Sequence, residues 1–481
     1  MSFNSGSSRD KACVHIIEYG LLGLIIFSPL PAASVYEWSI LVIQLLVLIM
    51  VAAYIIMKEK PQINDSLALV IKRLRYIYFA FFIFILIQLL ALPKLLVKFF
   101  SPSTYNYQKL YTVDFSKLRF MSLSLIPSQT LLRGFELLSY FLLGFLVLMT
   151  VSKRSQILRI WIVLISVGVF EAFYGLFELY NKNPRILFYR KIYNLDSVTG
   201  TFVNRNHLSG YLEMIIPLAI GLLIARRDIF SQSSLTWRER LLRLQERGFG
   251  KNLIILFAVI VMALAIIFSK SRSGLFVLLL TFILFFGLVT IYFEIYPLHK
   301  KWIKNSLKMA FLMIIIISFY FGISATLERF SLDSLLHEER PTYWTHSLKI
   351  ISDYPLMGTG LGTFGALTPI LERESVLRAI VHAHNDYLEY LSELGSIGFL
   401  LLFGGIFYIV VVSFMTWRKR RHPEVKGLAL GGVISLVCIL THSITDFNLH
   451  IPANMVLFSV VLPLTLVTAF YKRGPIPLNS K

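Results

Sequence analysis

Cysteine is almost missing from this chain: among 481 residues only Cys13 and Cys438 occur, both in or beside apolar runs. A structural disulfide framework is thereby excluded. Charge is scarce too. Asp, Glu, Lys and Arg make up 15% of the residues, where soluble domains carry about 25%. Acidic residues are the scarcer sign, 27 against 47 basic ones, for a net charge of +20. The alternation of apolar and polar residues over about ten positions that marks membrane barrel strands is not found either. A soluble domain and a membrane barrel are both set aside on these grounds.

The chain is dominated by apolar residues. Hydrophobic residues make up 56%, and mean hydropathy is +0.70. Runs of about 18–20 apolar residues cross the hydrocarbon core as helices. Roughly twelve such runs are read by hydropathy: 15–34, 38–57, 76–92, 131–151, 158–178, 207–225, 252–268, 273–295, 309–324, 394–416, 427–443 and 451–471. The weakest are 207–225, which opens with polar residues, and the short 309–324. The predicted fold is an all-α membrane protein. It is a transmembrane bundle of roughly twelve helices, forming one polytopic domain over 1–481.

Lys and Arg orient the bundle. With both termini cytoplasmic, 29 of them fall on the inner side and 18 on the outer, as the positive-inside rule requires. The inner segments 58–75, 226–251 and 417–426 carry many of them. This places a large loop, 325–393, on the outer side between spans nine and ten, which in a bacterium is the periplasm. The positive charge is thus explained by short cytoplasmic loops facing anionic lipid headgroups. No nucleic-acid motif accompanies it. Arg9 and Lys11 precede the first apolar run, which continues to about Ala33; it is read as an uncleaved first helix.

Polar chemistry concentrates on the outer side. His382-Ala383-His384-Asn385-Asp386 closes the large loop. Histidine titrates near neutrality, so either imidazole suits general-base work. The alternative is a structural, hydrogen-bonded histidine. H-x-H-x-D also suits metal ligation, but Tyr387 stands where the binuclear version needs a further histidine, which weakens that reading. Glu389 and Glu393 are fallback bases, read as helix-surface carboxylates. Arg205 lies at the entrance of span six, where Asn206 can cap the helix. Arg272 lies in the tight connection between spans seven and eight, where Ser271 or Ser273 can cap. Either arginine alone reads as a snorkelling side chain. Two at one membrane face, each beside helix N-terminal amides, suit a pyrophosphate. Arg340 opens a loop helix with Pro341 in its first turn, and Trp344, Leu348 and Ile351 mark its apolar face. The glycines of Asp353–Phe364 lack the strand that a phosphate-binding GxGxxG requires; a turn docking the loop on the bundle is the better reading. Segment 93–130 is long for a loop, its aromatics reading as an interfacial belt. Ser128 or Thr130 can cap the helix that follows it.

These motifs, GTFVNRNHLSGYLEM, SKSRSG and RPTYW followed by DYPLMGTGLGTF and HAHNDYLEYLSELGSIG, occur in this order between apolar spans. Over about 120–415 the chain resembles the O-antigen ligase and O-antigen polymerase superfamily. That resemblance implies a GT-C-like, metal-independent glycosyltransferase of the bacterial inner membrane with no cofactor. The donor it implies is a glycan on undecaprenyl pyrophosphate. The acceptor is lipid A core for a ligase, or another lipid-linked repeat for an O-antigen or exopolysaccharide polymerase; related enzymes glycosylate protein. The resemblance makes His384 the catalytic histidine, and Arg205 and Arg272 the donor-pyrophosphate ligands. Arg340, His382 and Asn385 are possible supports. One displacement implies inversion at the anomeric carbon. The chain after 471 shows no fused repeat domain. Two other classes stay open: a lipid-linked oligosaccharide flippase, although no internal repeat is found, and a non-catalytic scaffold.

Overall fold

The structure, a computed structural model, describes residues 8–181, 185–226, 247–293, 297–320, 339–371 and 381–472. The fold is all-α. Twelve long helices run as α1 (Ser8–Phe27), α2 (Glu37–Ile56), α3 (Asp65–Leu89), α6 (Pro127–Thr150), α7 (Arg154–Tyr180), α8 (Arg205–Ala225), α9 (Arg247–Phe268), α10 (Arg272–Tyr292), α11 (Pro297–Tyr320), α14 (Asp386–Arg418), α15 (Pro423–His442) and α16 (Pro452–Phe470). Short helices α4 (Lys94–Phe100), α5 (Pro102–Tyr111), α12 (Arg340–Asp353) and α13 (Phe364–Leu371) lie in the connections. Two small antiparallel pairings, Leu92–Pro93 with Phe120–Met121 and Arg185–Ile186 with Tyr189–Arg190, are the strands among the described residues. Nine of the described helices are long and apolar enough to cross a membrane.

Each run read by hydropathy falls on one long helix, with shifted bounds. The run 76–92 overlaps a helix, Asp65–Leu89, that starts earlier because Asn64 caps it by accepting from Ser66 N at 3.0 Å. The run 309–324 belongs to a helix that begins at Pro297; its last residues, 321–324, lie outside the described ones. The run 394–416 is the second part of α14, which starts at Asp386. The connection before it therefore ends at Asn385 rather than at 393. Of that connection, 325–338 and 372–380 lie outside the described residues, as do 227–246 of the basic segment 226–251.

Burial sorts the helices. The most apolar window of α8 is wholly buried, and those of α15 and α16 nearly so. By contrast α2 leaves Leu41, Leu45, Leu48 and Ile55 exposed. Apolar side chains face outward because the surroundings are hydrocarbon, so close packing between helices must come from small residues. Gly427 and Gly431 of α15 supply it: a Cβ on Gly221 of α8 would stand 2.8 Å from the Gly427 carbonyl oxygen and the Gly431 Cα. Cys13 and Cys438 are both buried, the latter 3.1 Å from Thr281 Oγ1.

Helix α14 is broken at Gly395, whose φ of 61° and ψ of −178° suit glycine alone. The break frees carbonyls that a low-dielectric setting cannot leave unpaired. The glycine-rich loop takes them: Thr359 N donates to Ser392 O at 3.0 Å and Gly360 N to Glu393 O at 2.9 Å. Gln88 of α3 donates to Met357 O and Glu393 O. Gly358 and Gly395 pack backbone on backbone, so a Cβ on either would overlap the other strand of chain. The turn thus docks on the bundle, as read from sequence. Gly395→Ala is expected to cost about 1–3 kcal/mol or more, visible as a lowered melting temperature in detergent; an unchanged value would show that the break relaxes freely.

In α12 the apolar face is turned by about one position from the expected one. Ser347, Ile350 and Tyr354 are buried, while Leu348 is exposed. Ile350 and Tyr354 pack with Phe364 and Ala383 in a small core of their own. Segment 93–130 folds over Val97, Met121 and Leu123, with Tyr105 edge-on to Phe115 at 5.3 Å. No side chain caps α6; Thr130 Oγ1 instead pairs with Ser124 Oγ at 2.8 Å.

Candidate active site

Hydrogen bonds gather one set of connections at a single end of the bundle. Leu125 N donates to Thr359 O, Val198 N to Phe268 O, and Asp386 N to Ser443 O. Thr201 Oγ1 donates to Pro29 O at 2.7 Å. The predicted residues lie here, on neighbouring elements.

Arg205 begins α8. Asn204 caps the helix, its Oδ1 accepting from Asn206 N at 2.9 Å, so the cap lies two residues before the Asn206 expected. The turn before it is fixed from below. Glu171, fully buried, accepts from Thr201 N at 2.8 Å and lies 2.9 Å from Thr201 Oγ1. Gly200 there has φ 57° and no room for a Cβ. Arg272 begins α10, capped by Ser271 through Gly274 N at 3.2 Å. The two helix starts abut: Ser209 Oγ lies 2.8 Å from Ser269 Oγ, and a Cβ on Gly274 would stand 2.8 Å from that of Ser209. Lys270 joins the cationic group and pairs with Asp196 at 2.7 Å. Lys270, with Arg205 adding to it, holds the Asp196 carboxyl below its usual range. Arg205 and Arg272 are both half-buried.

The residue that organises the rest is Asp446, in the connection between α15 and α16. His384 Nδ1 lies 3.2 Å from its Oδ1, Arg340 Nη2 3.6 Å from its Oδ2, and His207 Nε2 3.8 Å from its Oδ1. Burial alone would raise this carboxyl. His207 and His384 beside it outweigh burial and hold it well below the usual carboxylate range. Its neighbour Thr445 donates to Ser273 Oγ of α10 at 2.8 Å. The Thr445-Asp446 pair therefore touches the helix carrying Arg272, the helix carrying Arg205, the loop helix of Arg340 and the histidine segment.

Phe447 orders the three imidazoles. His382 stacks flat on it at 4.0 Å between ring centres, while His384 and His207 meet its edges at 4.8 and 4.6 Å. Tyr343 of α12 stacks against His384 at 5.7 Å. His384 is held at φ 50°, a conformation that costs about 1–3 kcal/mol in a non-glycine residue and clusters at active sites. With Nδ1–H directed at Asp446, its Nε2 keeps a lone pair and can accept a proton.

The two histidines of the segment are not equivalent. His382 Nδ1 pairs with Glu389 at 2.8 Å, and Asp386 pairs with His450 at 2.7 Å. The three H-x-H-x-D residues thus turn to three different partners rather than to one point. Burial lowers His450, but Glu389 and Asp386 outweigh that and raise it to about 9. Asn385 caps α14, accepting from Leu388 N at 3.1 Å. Glu389 and Glu393 are not helix-surface groups: each is only 2% exposed. The sequence expectation missed Asp446, Phe447 and the packing role of His207. The signal was there, since Thr441–His450 is a polar stretch with two histidines and an aspartate between two apolar runs.

Together these features define a multi-span membrane protein of all-α fold, with a cationic and histidine-bearing site at one end of its bundle. Residues 257–403 match the family model described as O-Antigen ligase, which supports the resemblance of the chain to the O-antigen ligase/polymerase superfamily. The family implies glycosyltransferase-type activity on lipid-linked glycans. The matched stretch is shorter than the 120–415 over which the motifs resemble that superfamily; it includes Arg272, Arg340, His382 and His384 and stops short of Asp446. A comparison with curated proteins returns no match.

Proposed function

We propose that this chain is an O-antigen ligase-type glycosyltransferase working at the periplasmic face of the bacterial inner membrane, with both termini cytoplasmic. It moves a glycan from undecaprenyl pyrophosphate to an acceptor hydroxyl, on lipid A core or on a growing surface polysaccharide. The reaction is inverting and needs no metal or other cofactor. The observation that carries this reading is the His384–Asp446 pair lying against the starts of two helices that open with Arg205 and Arg272.

The step is a single displacement. The acceptor O–H gives its proton to His384 Nε2 as its oxygen attacks the anomeric carbon. The bond from that carbon to the pyrophosphate oxygen breaks, and undecaprenyl pyrophosphate leaves with the electron pair. Asp446 holds the ring in the accepting tautomer and stabilises the imidazolium that forms, as carboxylates do beside catalytic histidines. Arg205, Arg272 and the amides of the two helix starts meet the charge that grows on the leaving group. Arg340 sits against Asp446 and so positions the pair. A polymerase would run the same step with a different acceptor.

Arg205→Ala and Arg272→Ala are each expected to lower donor use by about one to two decades, since a charged hydrogen bond to phosphate is worth about 1.5–3 kcal/mol. Lys replacements rescue only in part, because the forked guanidinium is lost. Donor kinetics are read with purified protein, lipid-linked glycan and EDTA present. Unchanged donor kinetics in both alanine variants would return these residues to the membrane interface, and activity restored only by a divalent ion would overturn the metal-free reading.

A further inference from the structure

A cavity of about 210 Å³ lies beside the site, between α6, α13 and the first turns of α14. Its polar wall is Arg133, Glu136, His382, Glu389, Glu393 and His450. Tyr140 and Tyr390 add aromatic surface. Nearly every charged group there is already matched. Glu136 accepts from Arg133 at 2.7 Å and Tyr140 at 2.9 Å. Glu389 accepts from Ala383 N at 2.8 Å and pairs with His382. Glu393 takes Phe364 N on Oε1 at 3.0 Å and has the Gly362 amide beside it, while its buried Oε2 completes no hydrogen bond. A buried carboxylate oxygen left without a donor is costly, so this one is suited to a donor that arrives with a ligand.

We propose that this cavity is a monosaccharide subsite taking one uncharged pyranose unit of the acceptor glycan. Its size fits. It is smaller than the roughly 300 Å³ at which drug-sized pockets begin. One sugar ring fits. Its chemistry fits as well. Sugar hydroxyls donate to Glu393 Oε2, and the tyrosines cover the ring faces, as amphipathic aromatics do. A hexuronate would bring its carboxylate against Glu393 and Glu136, with Arg133 already paired. The position selects the acceptor. The cavity shares His382 with the stack on Phe447, whose edge His384 meets, while Arg205 opens the helix that carries His207 and Arg272 the helix that Thr445 touches. Only the naming of the acceptor rests on the proposed function; the presence of a sugar site does not.

The test is saturation-transfer NMR on the full chain in lipid nanodiscs. The probes are methyl glycosides of glucose, galactose and N-acetylglucosamine, with methyl glucuronide as the charged comparison. At least one uncharged glycoside is expected to show saturation and the glucuronide none. Glu393→Gln should weaken that binding roughly tenfold, the loss of a charge-assisted hydrogen bond. Ala366→Trp places bulk in the cavity from an exposed position of its wall and should abolish it with the melting temperature kept. No saturation by any uncharged glycoside, equal saturation by the glucuronide, or signals surviving both variants would overturn the subsite, whatever the transfer assay shows. Where transfer is measured, the same variants should raise the acceptor KM; a rise in the donor KM instead would assign the cavity to the donor and overturn the acceptor reading.

Discussion

His384→Ala should lose glycan transfer by about 10²–10⁴-fold, the usual cost of removing a general base, while donor binding persists. The proton is accepted only as the acceptor oxygen attacks, so binding of the lipid-linked donor does not depend on the ring. The geometry also separates this residue from its neighbour. His382 lies flat on Phe447 and pairs with Glu389, whereas His384 pairs with Asp446. His382→Ala should therefore cost clearly less. The backbone at His384 is left-handed, so alanine is strained there, and asparagine, which tolerates that region better, is the cleaner replacement. His384→Asn should fold and melt as the wild type and still be inactive. A near-wild-type rate for His384→Asn beside an inactive His382→Ala would move the base to the neighbour.

Asp446→Asn should also be severe, with a loss reaching as much as roughly 10⁴-fold. Replacing the carboxylate that orients a catalytic histidine has that cost in serine proteases, because the amide donates and leaves the ring in the wrong tautomer. The same exchange would act on Arg340 and His207, which share this carboxylate. Asp446→Ala should in addition destabilise the protein, since it strips a buried group from a cation; such breaks cost about 3–5 kcal/mol. Rate and melting temperature are measured on both variants. A rate for Asp446→Asn within twofold of wild type, at equal stability, would make the His384–Asp446 pair structural.

The bundle was legible because apolar length is a strong signal, and each of the runs read in the sequence falls on one long helix. Boundaries were harder where hydropathy and helicity part company. Lys72, Arg73 and Arg75 hide the first turns of α3 from a hydropathy reading, and Gly395 hides the first turns of α14 by breaking the helix without ending it. At the site, the segments carrying Arg205, Arg272, Arg340 and His384 were all visible as polar insertions. What joins them was not. Asp446 sits in a short connection, and its three side-chain contacts come from residues up to 239 positions away in the chain, the farthest being His207. Glu389 and Glu393 looked like surface carboxylates because helical periodicity does not reveal that the loop of 354–364 folds over Glu393 and the histidine segment over Glu389.

The most direct test of the account follows the fate of the donor. Purified chain in proteoliposomes is incubated with undecaprenyl-pyrophosphate-linked glycan, acceptor and EDTA. Undecaprenyl pyrophosphate is quantified beside the product, and the new glycosidic linkage is assigned by NMR. The account predicts one undecaprenyl pyrophosphate released per bond formed, with inverted configuration at the anomeric carbon. Donor that crosses the bilayer intact, with its sugar–pyrophosphate bond unbroken, would contradict it and identify the chain as a flippase.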